Sequence, residues 1–207
     1  DFGSTPSDIF DKASTADLRL PMVKDETGAD VQLTRGKYSA FLESGNRDVR
    51  KGAFEGMFGA YKNVGNTLAS TLSAEVKKNI FFAKAKKYNS ALEASLAQNN
   101  IPTSVYDNLV TAVNKNIGSL HKYVSLRKKV LGVDNVHFYD MYVPLVDDYT
   151  MEIKYEDGKK MVLDGLKPLG QEYIDAVAKA FDSNWIDVYE TDNKYSGAYN
   201  WGTYDTH

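Results

Sequence analysis

The chain has 207 residues, 43% of them apolar, a formal net charge of −3 and no cysteine. That length allows one large domain or two small ones with a sizeable core, and the small charge gives no electrostatic footprint for nucleic acid or an anionic membrane. Without cysteine there is no disulfide framework, thiolate metal site or thiol nucleophile, which suits a reducing cytoplasm. No apolar run reaches the roughly 20 residues of a membrane span. The opening DFGSTPSDIF lacks the basic region and apolar block of a signal peptide and reads as the interior of a longer chain.

In chain order, Pro6, Asp8, Ile9 and Phe10 predict a short helix over residues 5–13. Residues 18–23 and 31–33 flank the polar KDETGAD and predict a hairpin, with Pro21 confining its strand to an edge. Residues 1–33 thus form a first region of helix plus hairpin. Helical sequence follows over 34–184, beginning with a short helix over 34–43 that ends at Ser44-Gly45. From Asn46, the residues Phe54, Phe58, Tyr61, Leu68, Leu72, Val76 and Ile80 recur at helical steps. Arg47, Arg50, Lys51, Lys62, Lys77 and Lys78 fill the other face. The glycines at 52, 56, 59 and 65 each cost a helix interior about 1 kcal/mol relative to Ala, and close packing against another helix would explain them. The expectation is one bent helix or two with a break near Gly65, reaching about Lys86.

Residues 88–98 predict a further helix with Ala91, Leu92, Leu96 and Ala97 inward. Ser104, with Asp107 three residues on, reads as the capping box of a strong helix. Its expected buried stripe is Val105, Leu109, Val113, Ile117, Leu120, Val124 and Leu131. Arg127, Lys128 and Lys129 lie in its last turn, where cations suit the dipole, and Gly132 stops it. HFYDMYVPLV, residues 137–146, is expected as an ordered, buried connection. Residues 149–165 fit a hairpin turning at Asp157-Gly158, or a helix over 155–166 with Met161, Val162 and Leu166 on one face. Residues 169–182 predict a helix using Tyr173, Val177, Ala180 and Phe181.

The last stretch, WIDVYETDNKYSGAYNWGTYDTH (185–207), is aromatic and Gly-punctuated. Trp185-Ile186-Asp187-Val188-Tyr189 alternates as a half-buried strand does. Ser196, Gly197, Ala198, Tyr199, Asn200 and Trp201 can return as a second. Gly197 marks either a bulge or a place where another backbone comes close, as a peptide does when it pairs with a sheet edge.

Local chemistry is sparse. His121, His137 and His207 are far apart, and none forms a His-x-x-x-His pair, so spacing alone assembles no metal site. His121 reads as a surface residue and His137 as a buried, hydrogen-bonded one. Asp140, Asp147 and Asp148 cluster loosely, as turn formers or solvated charge do. No phosphate-binding loop, nucleophile elbow or dinucleotide fingerprint is present. On these grounds alone the chain is a mainly α globular segment, and a non-catalytic helical protein-interaction module fits it.

Several stretches together resemble the oligoendopeptidase F family, zinc metallopeptidases of the thimet-oligopeptidase group. They are LTRGKY (33–38) with FLES (41–44), RDVRK (47–51), AKAKKYNSALEA (83–94), Ile101-Pro102 with VYDNL (105–109), and Leu131-Gly132. YDMYVPL (139–145), LKPLG (166–170) with Tyr173, WIDVY (185–189), SGAY (196–199) and Trp201-Gly202 complete the set, in one order through almost the whole chain. The resemblance implies a largely helical, bowl-shaped protein with a deep channel. It also implies zinc held by a His-Glu-x-x-His helix and a further Glu, the motif Glu activating the zinc-bound water. This sequence contains no His-Glu-x-x-His. The resemblance therefore places the zinc and catalytic residues outside the chain, beyond His207, and none is carried over to it. The family pattern favours helix over hairpin from about Glu156.

The resulting expectation is the middle segment of a cytoplasmic zinc oligoendopeptidase acting on short peptides. It comprises helical wall plus a strand pair over 185–207, and is inactive alone and without bound zinc. Ser196, Gly197, Ala198 and Tyr199 are the candidate substrate-binding edge. Left uncovered, that edge is expected to promote self-association. Neither nucleic acid nor membrane is an expected partner.

Overall fold

A computed structural model describes residues 3–146, 153–183, 185–189 and 204. The described residues fall into two compact units, 3–145 with 204, and 146–189. The architecture is mainly α, as the periodicity predicts, with one two-stranded antiparallel sheet among the described residues.

In the first unit, α1 (Thr5–Asp11) starts with Pro6 in its first turn, where a missing N–H is harmless. It runs on through a wider π-helical turn, Lys12–Asp17, so the helical stretch exceeds the one expected. The hairpin follows as β1 (Met22–Lys24) and β2 (Asp30–Gln32), with Val23 opposite Val31. Asp25 organises its turn: Oδ1 accepts from the Thr27 and Ala29 N–H groups, and Gly28 takes φ +83°. The short helix α2 (Arg35–Glu43) is capped by Thr34, whose hydroxyl accepts from the Lys37 N–H. Asn46 caps α3 (Arg47–Asn63) in the same way. Val64 breaks the helical run, and α4 (Gly65–Ala85) continues it, so the second of the two expected forms is found.

The core lies where α3 crosses the hairpin. Val23, Leu33, Ala53 and Met57 are buried together, with Leu20, Tyr38, Phe41 and Tyr61 packed against them. This corrects two expectations. The buried residues of α3 are Val49, Arg50, Ala53, Met57 and Ala60, whereas Phe58 is exposed. Ala53 and Met57, not Phe58, pack on the hairpin, and the crossing is close at Gly56. Gly56 shows how close: a Cβ there would stand 3.0 Å from Pro21 Cγ and 3.2 Å from Val23 Cγ1. The close approach is thus to a hairpin rather than to a helix, while Gly52, Gly59 and Gly65 face open space.

Ser90 caps α5 (Ala91–Ala97), and Glu93 reaches back to the Asn89 N–H. The long helix α6 (Thr103–Leu131) begins from Pro102; Ser104 is not its cap, and the expected box with Asp107 does not form, because Pro102 already sets the entry. Gly132 ends it at φ +64°, as expected of a left-handed stop. The expected buried stripe is not buried: every residue from Thr103 to Tyr123 is exposed, and Leu109 is 61% exposed. The pattern records an apolar face; it does not record what covers that face. A 3-10 turn at Phe138–Asp140 then leads to Val143, with Tyr139, Asp140 and Val143 buried but Phe138 and Tyr142 exposed.

In the second unit, α7 (Tyr155–Gly165) settles the hairpin-or-helix alternative for helix. Gly158 is accommodated within it, its Cβ position 3.7 Å from Ile153 Cγ2. A 3-10 turn (Lys167–Leu169) and Gly170 at φ +91° lead into α8 (Gln171–Asp182). The two helices meet through the edge-on rings of Tyr155 and Phe181, 6.3 Å apart, and the Lys159–Asp182 ion pair. Met161, Val162 and Tyr173 are exposed, contrary to expectation, since this small helix pair closes through other residues. Residues 185–189 run as bends and irregular chain with exposed side chains rather than as a half-buried strand. Alternation becomes a strand only where a ladder partner satisfies the backbone, and the expected partner, 196–201, lies outside the described residues.

Candidate functional site

The most organised polar cluster in the first unit forms around Asp140. Arg47 and Arg50 stand three residues apart in the first turn of α3, hence on one side of it. Arg127 comes from the last turns of α6. Asp140 closes a 3-10 turn in which its carboxylate accepts from the His137 N–H at 2.9 Å.

The geometry is fully specified. Asp140 Oδ1 accepts from Arg47 Nε at 3.1 Å and Arg50 Nη2 at 2.9 Å. Oδ2 accepts from Arg47 Nη2 at 2.9 Å as well as from His137. The Asp140 carbonyl accepts from Arg127 Nε at 3.0 Å and Nη2 at 2.7 Å. Two guanidinium groups thus hold the carboxylate and a third holds the carbonyl of the same residue, and further main-chain carbonyls meet the surplus positive charge. Arg50 donates to the carbonyls of Ser44, Gly45 and Tyr139. Arg127 also donates to that of Val143, and Arg47 to that of Asn135. Asp140 is 0% exposed and Arg50 and Arg127 each 3%.

Burial by itself would raise the Asp140 carboxyl. The hydrogen bonds from Arg47, the His137 N–H and Arg50 outweigh it and hold the group at about 2. The same bond to Asp140 raises Arg47. A carboxylate so placed stays ionised and has its acceptor directions occupied, so it cannot take a proton from a substrate. The cluster is a clamp: it fixes the 137–143 connection against the start of α3 and the end of α6.

Arg47 and Arg50, expected on a solvated face, are therefore clamp residues, as is Arg127, expected as a dipole partner; Asp140 is not solvated charge. One sequence signal pointed this way. A lone aspartate inside a run expected to be buried requires a cation, and arginine suits a buried carboxylate better than lysine. His137 is exposed rather than buried, because its ring stacks on Tyr139 at 5.0 Å from the outside. His121 is on the surface, as expected. Asp147, Asp148, His207 and the candidate edge Ser196, Gly197, Ala198 and Tyr199 lie outside the described residues.

Elsewhere in this unit α1 and α4 enclose a groove of about 490 Å³ lined by Pro6, Ile9, Thr71, Phe81 and Phe82 among others. A cleft of about 620 Å³ lies between the hairpin and α3. Among the described residues no group of three or more His, Cys, Asp or Glu side chains could hold a metal ion, and no helix is long and apolar enough to cross a membrane. Tyr38 Oη is buried without a hydrogen-bond partner among the described residues, and its burial raises the phenol.

The model of Peptidase family M3 matches residues 40–207. The chain is 48% identical over 200 residues to oligopeptidase PepF of Bacillus subtilis, covering 97% of this chain and 30% of that protein. It is 43% identical over 203 residues to an oligoendopeptidase F homolog of Lactococcus lactis, covering 98% of this chain and 33% of that one. The crystal structure of oligoendopeptidase-F from Enterococcus faecium superposes with a TM-score of 0.69 at 41% identity, over 87% of this chain and 34% of that one. The chain thus spans about a third of the length of the curated relatives it matches.

Proposed function

Because the chain belongs to peptidase family M3, we propose that it is one part of a zinc-dependent oligoendopeptidase that hydrolyses peptide bonds in short peptides. The observation that carries this reading is a match at 48% identity, over 97% of this chain and 30% of the relative, to an oligopeptidase. Among the described residues no group fits a zinc ion, and the sequence holds no His-Glu-x-x-His; on the family resemblance we assign zinc, its ligands and the glutamate that activates water to residues outside this chain. No hydrolytic step is assigned to its own side chains. Its role is scaffold: the clamp at Asp140 holds part of the helical wall in shape. Ser196, Gly197, Ala198 and Tyr199 are the segment we assign to pairing with substrate backbone, and the edge through which the separated chain self-associates. A cysteine-free composition fits a cytoplasmic setting.

The test is a chimera in which this chain replaces the matching residues of the Bacillus subtilis relative. A short quenched-fluorescence peptide should be cleaved, with activity lost to a chelator and restored by zinc. The chain by itself should give no turnover. Zinc-dependent turnover by the isolated chain would overturn the proposal, as would a folded chimera without activity.

A further inference from the structure

We draw no further inference here: the strongest candidate, the apolar groove between α1 and α4 lined by Pro6, Ile9, Phe81 and Phe82, is an open face of a chain that spans about a third of its relatives, and nothing in the structure shows what covers it.

Discussion

Removing the Asp140 carboxylate should unfold the first unit at much lower temperature than any other single polar substitution in it. Asp140→Asn keeps the shape but deletes the charge that compensates Arg50, which is itself buried. Breaking a buried ion pair from one side costs about 3–5 kcal/mol, because the remaining charge is stranded away from water. Arg47 is different. Its side chain is 41% exposed, so Arg47→Ala leaves a carboxylate still held by Arg50 and the His137 N–H, and should cost about 1 kcal/mol. For a chain of this size each 1 kcal/mol moves Tm by roughly 2–4 °C. Asp140→Asn is therefore expected to lower Tm by roughly 6–20 °C, and Arg47→Ala by a few degrees. Thermal melts followed by circular dichroism read both. The acid limb provides a second readout. The carboxyl sits at about 2 in the folded chain against the ordinary aspartate value of 3.8, so its stabilisation is complete above the unfolded value and drains away as pH falls from there through about 2. That difference corresponds to about 2 kcal/mol. Urea midpoints between pH 5 and pH 2 should fall less steeply for Asp140→Asn than for the parent chain. A variant that melts within 2 °C of the parent, or an unchanged acid limb, would show that the clamp does not hold the fold.

Two α3 glycines should respond in opposite directions. Gly52→Ala meets open space and should gain up to about 1 kcal/mol from helix propensity. Gly56→Ala presses on Pro21 and Val23, and overpacking of about 1–3 kcal/mol should cancel or reverse that gain; urea denaturation of the pair compares them directly. Tyr38→Phe removes a buried hydroxyl that has no partner, so its Tm should be unchanged or higher, by up to about 1 kcal/mol equivalent. Gly132→Ala forces a side chain into the left-handed region at φ +64° and should cost about 1–2 kcal/mol, measurable in the same melts.

The helices were legible because their signals are local. Thr34, Asn46 and Ser90 cap the helices that follow them, and Gly132 stops α6 as a left-handed residue must. What sequence periodicity could not carry was the identity of the neighbour. On α3 the phenylalanines looked like the core side, yet Ala53 and Met57 pack on the hairpin, which comes within contact of Gly56, and Phe58 stays outside. Amphipathic pattern ranks faces by polarity, whereas crossing distance ranks them by size, and at a close crossing size wins. The clamp was hidden for a related reason. Arg50 and Asp140 are 90 positions apart, so nothing in either local window distinguishes a buried pair from two solvated charges. Only their joint context does, a lone carboxylate in an aromatic run and arginine where lysine is the commoner cation. The stripe on α6 is the inverse case. Its apolar spacing was read correctly, but burial is a property of the assembly in which a helix sits. Periodicity ranks the faces of α6 by polarity, but what packs on each face is set by neighbours distant in sequence, which no local window contains.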